Sequence, residues 1–133
     1  MSNKITEAIE VKPVLAPQAQ TKGTSNTGTY LKCPVGLGDI DFVVRHGALA
    51  EGKKVTVEVY QATATDGTGA AEIEKYEAVS TAGTGGATDG VVIVSIDSCD
   101  VTKGYVTVKV TNDSASDAVP IDAFALIRKQ YLD

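Results

Sequence analysis

Few side chains in this sequence combine the types and the spacing that catalysis requires. His46 is the single histidine, and histidine is the usual general base near neutral pH. It stands beside Gly47 at the end of a predicted strand, a position typical of a surface turn. Ser95 and Ser98 lie in or just after a strand, without a Gly-x-Ser-x-Gly nucleophile elbow. The sequence therefore predicts no convergent nucleophile, base and orienting group, and hence no enzyme.

Metal-binding patterns are equally weak. One histidine and the distant pair Cys33 and Cys99 match none of the usual zinc spacings. Asp89, Asp97 and Asp100 offer oxygens of the kind that calcium prefers, but they lack the order of an EF-hand loop. Turn aspartates that face solvent are the simpler interpretation. We expect no catalytic residue, no metal site and no cofactor.

The glycine-rich stretch 83–90 invites comparison with phosphate-binding loops. Such loops follow a strand, precede the N-terminus of a helix and place a lysine near the phosphates. Here a strand follows the stretch, which contains no lysine. The pattern predicts a surface loop.

Composition favours a single all-β domain. The chain has 133 residues, which is the size of one domain, and 43% of them are hydrophobic, although only 5% are aromatic and tryptophan is absent. A core of valine, isoleucine, leucine and alanine suits strands, because β-branched side chains fit a pleated surface. Thirteen glycines indicate frequent turns.

Charge and cysteine usage limit the partners and the compartment. The formal charge of −5 argues against nucleic acid and against anionic membranes as partners. No apolar run approaches the ~20 residues that span a bilayer, and residues 1–5 lack the apolar segment of a secretory signal. We expect synthesis in the cytosol, where Cys33 and Cys99 are more simply two buried thiols than a disulfide.

The first 22 residues differ from the rest of the chain. They contain Pro13 and Pro17 and show neither sustained alternation nor a capped helix. We predict an extended N-terminal arm over 1–22, followed by the folded domain over 23–133; a frayed terminus is the alternative. The arm offers three apolar anchors for a neighbouring subunit: Val11, Val14 and Leu15.

The remainder divides into short β-like runs separated by turn signals. About seven strands are predicted, over 29–33, 39–46, 54–61, 71–79, 91–96, 105–111 and 119–131. Run 71–79 is rich in helix formers, so strand and helix compete there, and we favour a strand because its neighbours are strands. Run 91–96 is almost wholly apolar, which predicts a strand covered on both sides, and 119–131 reads as a central strand. This spacing is typical of a β-sandwich or a closed barrel; we choose a single antiparallel β-sandwich.

Several segments together resemble a known group of proteins. They are IEVKPVLAPQAQT at 9–21, DFVVRHG at 41–47, VTVEV at 55–59, GYVTVKV at 104–110 and AFAL at 123–126. Across almost the full chain, these segments resemble small proteins encoded near the major capsid gene of many tailed bacteriophages. The charged run EIEKYE at 72–77 departs from that pattern, as does the absence of an Asp-Asp-Gly-Thr-Thr-Trp type of turn.

The resemblance implies a structural virion protein. Its expected location is the outer capsid surface, where it would cement or decorate the lattice of its partner, the major capsid protein. The resemblance also implies a homo-oligomer made in the host cytoplasm, and analogy with the group suggests a trimer. Because sandwiches present loops at their ends, we add the loop from Thr84 to Asp89 to the three arm residues as predicted contacts.

Three other functions stay open. A head-completion, tail or fibre-associated protein would share the fold but occupy few positions per particle. A carbohydrate- or calcium-binding module is the second alternative, although sugar binding normally uses exposed aromatics and this chain has five tyrosines and no tryptophan. An enzyme is the third, and the thin set of catalytic residue types disfavours it.

Overall fold

The structure, a computed structural model, describes residues 9–21, 23–33, 39–113 and 118–128. Within these ranges the chain forms two antiparallel sheets that pack as a β-sandwich. The strands are β1 (Ile9–Gln20), β2 (Ser25–Thr27), β3 (Leu31–Lys32), β4 (Asp39–His46), β5 (Lys54–Ala62), β6 (Ala71–Thr81), β7 (Gly90–Asp97), β8 (Tyr105–Asn112) and β9 (Val119–Arg128). The predicted fold class is confirmed. The described strands number nine rather than about seven, because β1 lies in the predicted arm and β2 is only three residues long.

Each sheet contains strands from early and late parts of the chain. The four-stranded sheet has the order β1-β9-β4-β7. The five-stranded sheet has the order β2-β8-β5-β6, with β3 also pairing with β8. A single 3₁₀ turn, Ser98–Asp100, follows β7. Within the described ranges, no helix is long and apolar enough to cross a membrane.

A period-two pattern of inward apolar side chains produces the central strands. Strand β4 begins and ends at the predicted residues, and its side chains Ile40, Phe42 and Val44 are fully buried. Strands β5 and β8 follow the same period of two, since alternate side chains of a strand point to opposite sides of the sheet. Their inward valines line the opposite wall of the core: Val55, Val57, Val59, Val106, Val108 and Val110.

The two runs that are apolar on both sides have different outcomes. Strand β9 lies between β1 and β4, so the prediction of a central strand is confirmed. Strand β7 is the outermost strand of its sheet, and the prediction that both of its sides are covered is wrong. Val91 and Ile93 are 58% and 60% exposed, whereas Val92 and Val94 are buried.

Most of the segment predicted as an arm is a strand of the sandwich. Residues 9–20 form β1, which pairs antiparallel with β9 and has register shifts on both sides of Leu15. Val14 and Leu15 are 3% and 8% exposed, because they fill the core beside β9. Residues 1–8 and Lys22 of the predicted arm lie outside the described residues.

The ambiguous segment 71–79 is a strand, as predicted. It belongs to β6, which pairs antiparallel with β5 despite a register shift between Glu58 and Tyr60. Pairing with β5 and burial of Ile73 outweigh the helix propensity of its alanine and glutamate residues.

Two further predictions concern the burial of the two cysteines and of the histidine. Cys33 and Cys99 are both free thiols, but only Cys33 is buried; Cys99 is exposed in the 3₁₀ turn, so the prediction of two buried thiols is wrong for it. Burial raises the pKa of the Cys33 thiol. His46, expected in a surface turn, is instead 4% exposed, because it ends β4 with its ring turned into the sandwich.

Candidate interaction face

The outward side of the four-stranded sheet carries a row of apolar side chains that crosses all four strands. Ile93 of β7 lies opposite Val43 of β4, and Val43 lies opposite Phe124 of β9. Pro13 of β1 completes the row beside Phe124. Directly paired residues of neighbouring strands point to the same side of a sheet, so this row forms one continuous apolar strip.

The neighbouring rows extend this strip in both directions. On one side, Leu126 of β9 lies between Val11 of β1 and Asp41 of β4 and pairs with both. On the other side, Val91 of β7 pairs with Arg45 of β4. We call the combined patch the apolar face; its members are Val11, Pro13, Val43, Val91, Ile93, Phe124 and Leu126.

The apolar face is exposed to an extent that is unusual for the outer side of a sandwich. Val11, Val91 and Ile93 are 61%, 58% and 60% exposed, whereas Val43, at the centre, is covered by its neighbours. Outward strand positions are normally polar when they face water. Contiguous exposed apolar side chains are typical of surfaces that bind another protein.

An ion pair lies at the border of the apolar face beside Val91 and Phe124. The Arg45 Nε donates to Asp122 Oδ1 at 2.8 Å, and Nη2 donates to Oδ2 of the same carboxylate. The Arg45 guanidinium carbon lies 5.9 Å from the centre of the Phe124 ring. The hydrogen bond to Asp122, together with the charge of its carboxylate, raises the pKa of Arg45. The pair therefore presents a flat, electrically balanced border next to the apolar side chains.

The outer side of the five-stranded sheet has a different character. Glu58 of β5 lies between Lys109 of β8 and Glu77 of β6. Lys109 also places its ammonium 5.5 Å from the centre of the Tyr60 ring. A hydrogen bond with Glu58 raises the pKa of Glu72, and burial and the charges of nearby glutamates add to the effect. This side is charged and polar, whereas most of the exposed apolar side chains lie on the outer side of the four-stranded sheet.

An open cleft of about 440 Å³ adjoins the apolar face at the start of β7. Its lining comprises Pro17, Gln18, Arg45, His46, Asp89, Gly90, Val91, Pro120, Ile121 and Asp122. The cleft joins the ion pair to the start of β7, so a partner seated on the apolar face would also reach it.

The His46 ring in this cleft has both nitrogens engaged. Nδ1 lies 2.8 Å from the Gly47 carbonyl oxygen, which can only accept, so Nδ1 carries the proton. Nε2 lies 2.8 Å from the Ser80 hydroxyl oxygen, which is its hydrogen-bond partner. The ring leaves no room beside Gly90, where an added Cβ would lie 2.3 Å from Nε2. This arrangement holds two sheets together and offers no free nitrogen for proton transfer.

The aspartates considered for calcium lie in structural contacts. Asp97 accepts from the Cys99 backbone N–H at 3.0 Å, which begins the 3₁₀ turn. Asp100 accepts from the Tyr76 hydroxyl and pairs with the Lys75 ammonium at 2.9 Å. Among the described residues, no group of three or more potential metal ligands lies together.

The structure distributes the five predicted contact residues over three environments. Val11 is exposed and belongs to the apolar face, and Asp89 is exposed in the cleft beside it. Thr84 is exposed in the turn between β6 and β7. Val14 and Leu15 are buried in this chain's own core, so in this conformation they present no anchor to a neighbour.

Sequence reasoning missed most members of the apolar face. Val91, Ile93, Phe124 and Leu126 were visible as apolar residues at positions where a half-buried strand would be polar. The same pattern also predicts a strand covered on both sides by its own chain, and that interpretation was chosen for β7. The two explanations differ in whether another element packs over the outer side of β7, and the exposure of Val91 and Ile93 shows that none of the described chain does.

No protein-family model matches the chain, and no curated protein matches it. Solved structures nevertheless share its fold. The PBSX exported protein XepA superposes with a TM-score of 0.62 at 7% identity, over 100% of this chain and 41% of XepA. A mutant VP2 protein of infectious bursal disease virus, in derived T=1 particles, gives 0.53 at 10% identity, over 91% of this chain and 31% of VP2.

A second VP2 structure, from a subviral particle of the same virus, gives a TM-score of 0.51 at 11% identity, over 91% of this chain and 32% of VP2. The chain spans less than half the length of each of these proteins. At such low identities, the likeness shows a shared β-sandwich fold.

Proposed function

We propose that this chain is a non-enzymatic structural virion protein that decorates or cements the outer surface of a bacteriophage capsid. The apolar face is the observation that carries the proposal, because contiguous exposed apolar side chains are typical of surfaces that bind another protein. The proposed partner is the major capsid protein, and the proposed location is the capsid surface. The resemblance of the sequence to phage proteins supports this role, as does a fold shared with a viral particle protein and an exported PBSX protein.

The size of the apolar face suits attachment to a repeated lattice. Four strands at about 4.8 Å spacing and about five residues of about 3.3 Å each cover on the order of 300 Å². A standard stable interface takes about 800 Å² from each partner. One copy should therefore bind weakly, and firm attachment should come from several linked copies that engage neighbouring capsid subunits together.

The engaged state of His46 supports the non-enzymatic part of the proposal. Its Nδ1 and Nε2 bond to Gly47 and Ser80, so general-base chemistry would require these contacts to break first. The cysteine thiol in the 3₁₀ turn, Cys99, is not activated either: its hydrogen bond with Asp97 raises its pKa, and a raised pKa disfavours the thiolate.

Binding to phage capsids that lack the protein tests this role. Ile93→Lys and Val11→Lys each place a charge on the apolar face and should weaken binding at least about tenfold. Val79→Lys is the matched control, since Val79 is 47% exposed on β6 of the other sheet. Cosedimentation of purified protein with capsids measures the affinity. Equal binding by all three variants would remove the apolar face from the proposal.

Copy number separates decoration from the other virion roles. A decorating protein is present once or more per capsid lattice position, whereas a head-completion, tail or fibre-associated protein occupies few positions. Quantitative mass spectrometry of purified particles measures this ratio directly. A ratio of a few copies per particle would replace decoration with one of those roles.

A further inference from the structure

No strand of the described chain pairs with the outer backbone edge of β7, although β6 of the other sheet runs close beside it. The hydrogen bond at the end of this edge shows which residues form it. The Asp97 N–H donates to the Tyr76 hydroxyl of β6 at 3.1 Å. Because β4 pairs with the other side of β7, this N–H points away from the sheet. Residues two apart in a strand direct their N–H and C=O groups to the same side. Val91, Ile93 and Ser95 therefore point their backbone groups to this edge.

We call these three residues the bare edge. Within the described part of the chain, no hydrogen bond is formed by their backbone groups on this side. The surrounding run from Gly90 to Ile96 contains no charged residue and no proline. An exposed, uncharged edge strand is a template for pairing with another strand.

The opposite edge of the same sheet is protected. Strand β1 carries Pro13 and Pro17, and its register against β9 shifts twice. Proline lacks an N–H, and irregular edges discourage pairing. A head-to-tail arrangement that joins β7 of one copy to β1 of the next is therefore disfavoured. Among the edges of this sheet, the self-association that remains is symmetrical, with β7 against β7.

We propose that β7 pairs antiparallel with β7 of a second copy across a two-fold axis, so that two four-stranded sheets join into one of eight strands. An axis perpendicular to the sheet keeps outward residues opposite outward residues. Centring the pairing on Val92 places Val91 opposite the second copy's Ile93, and Ile93 opposite the second copy's Val91. Four exposed apolar side chains then meet on the outer side of the sheet.

The neighbouring pairing registers place less compatible side chains opposite each other. Centring on Ile93 places Val91 opposite Ser95 of the second copy, and centring on Val94 places Val91 opposite Asp97. Each leaves an apolar side chain beside a polar or charged one. The Val92 register instead pairs Asp89 with Ser95, so no like charges lie directly opposite each other within the paired strands.

Strand β6 adds a salt dependence. It runs beside the bare edge, as the contacts of Tyr76 with Asp97 and of Ser80 with His46 show. The dimer therefore brings two copies of β6 nearer to each other, together with the exposed carboxylates of Glu74 and Glu77. Salt screens this repulsion, so the dimer should strengthen as the salt concentration rises.

The consequence for capsid binding rests on the proposed function. Two apolar faces would lie side by side in one continuous surface, on the order of 600 Å² in area. That area approaches the contribution of one partner to a standard interface. Dimerisation would thus convert a weak single contact into a bivalent one.

Disulfide trapping of the register tests the dimer without any capsid. Val91→Cys and Ile93→Cys are made separately in a Cys99→Ser background, because Cys99 is exposed. The proposed register brings the two new thiols together only between different variants. Mixing the variants should therefore form disulfide-linked dimers about tenfold faster than either variant alone. Equal rates, or no dimers, would overturn this register.

Sedimentation of the unmodified chain provides the second readout. The proposal expects a dimer that Ile93→Lys converts to a monomer and that Val79→Lys retains, with far-UV spectra confirming that both variants are folded. A chain that stays monomeric at its solubility limit in high salt would overturn the proposal. A chain that dimerises but fails to bind capsids would contradict the proposed function alone.

Discussion

Nε2 of His46 lies 2.8 Å from the Ser80 hydroxyl oxygen, and this bond joins the two sheets of the sandwich. His46 ends β4 in the four-stranded sheet, and Ser80 lies near the end of β6 in the five-stranded sheet. The ring is 4% exposed, so water does not readily replace the hydroxyl. The side of the sandwich next to the cleft is therefore closed by a polar contact between residues that are distant in sequence.

Replacing Ser80 by alanine should destabilise the fold. The variant leaves a buried ring nitrogen without its hydrogen-bond partner, at a cost of about 1–2 kcal/mol in the free energy of unfolding. Ser95→Ala is the matched control, because Ser95 is exposed on β7. Urea denaturation followed by circular dichroism measures both. Equal stability of the two variants would show that the His46–Ser80 contact contributes nothing.

Replacing Gly90 by alanine should have a larger effect at the same place. An added Cβ would lie 2.3 Å from His46 Nε2, so the ring or the strand must move. Overpacking of this kind costs about 1–3 kcal/mol. Gly83→Ala is the control, since a Cβ there meets nothing within 4 Å. Thermal unfolding should show a clear loss for the first variant only; a loss of equal size in both would point to backbone conformation instead.

Parts of this fold could be predicted from the sequence because they depend on local periodicity. The bounds of strand β4 are predicted correctly, since Ile40, Phe42 and Val44 alternate with outward residues of which only Val43 is apolar. Strand β1 was not recognised, because Pro13, Pro17 and two register shifts obscure any period of two. Its partner β9 lies about a hundred residues further along the chain, and no local pattern reports such a pairing.

The candidate site was less predictable than the fold. Val11 and Asp89 were proposed as contacts and lie on or beside the apolar face, but Val14 and Leu15 are core residues. The exposure of Ile93 could not be inferred, because an apolar side chain at an outward position is equally compatible with a covering element of the same chain. Whether an element of the chain packs over that side of the sheet decides between these possibilities, and this is a property of the whole fold.

Acid should weaken the contact between β6 and the 3₁₀ turn. The hydrogen bond from Tyr76, followed by the contact with Lys75, lowers the pKa of Asp100. A carboxyl whose pKa is lower in the folded chain contributes stability above its unfolded pKa of about 3.9 and loses it as the pH falls through the folded value. The free energy of unfolding should therefore fall more steeply below about pH 4 for the unmodified chain than for Asp100→Asn.

Two variants identify the source of that slope. Tyr76→Phe removes the hydrogen bond and should flatten the pH dependence in part, because the contact of Asp100 with Lys75 remains. Asp89→Asn, at an exposed residue in the cleft, should leave the slope unchanged. Equilibrium unfolding at a series of pH values gives the slopes. A slope that is the same for Asp100→Asn and for the unmodified chain would contradict the assignment to Asp100.

Replacing Thr107 by valine should leave stability unchanged or raise it. Thr107 of β8 is fully buried, and its hydroxyl has no hydrogen-bond partner among the described residues. Valine keeps the β-branched shape and removes an unpaired polar group, which favours folding by up to about 1 kcal/mol. Thr111→Val on the same strand is the control, because the Thr111 hydroxyl bonds to the Ser25 hydroxyl at 2.8 Å. Valine removes this hydrogen bond, so the control should gain no stability. Chemical denaturation should rank Thr107→Val above Thr111→Val; the reverse order would mean that the Thr107 hydroxyl is satisfied in solution.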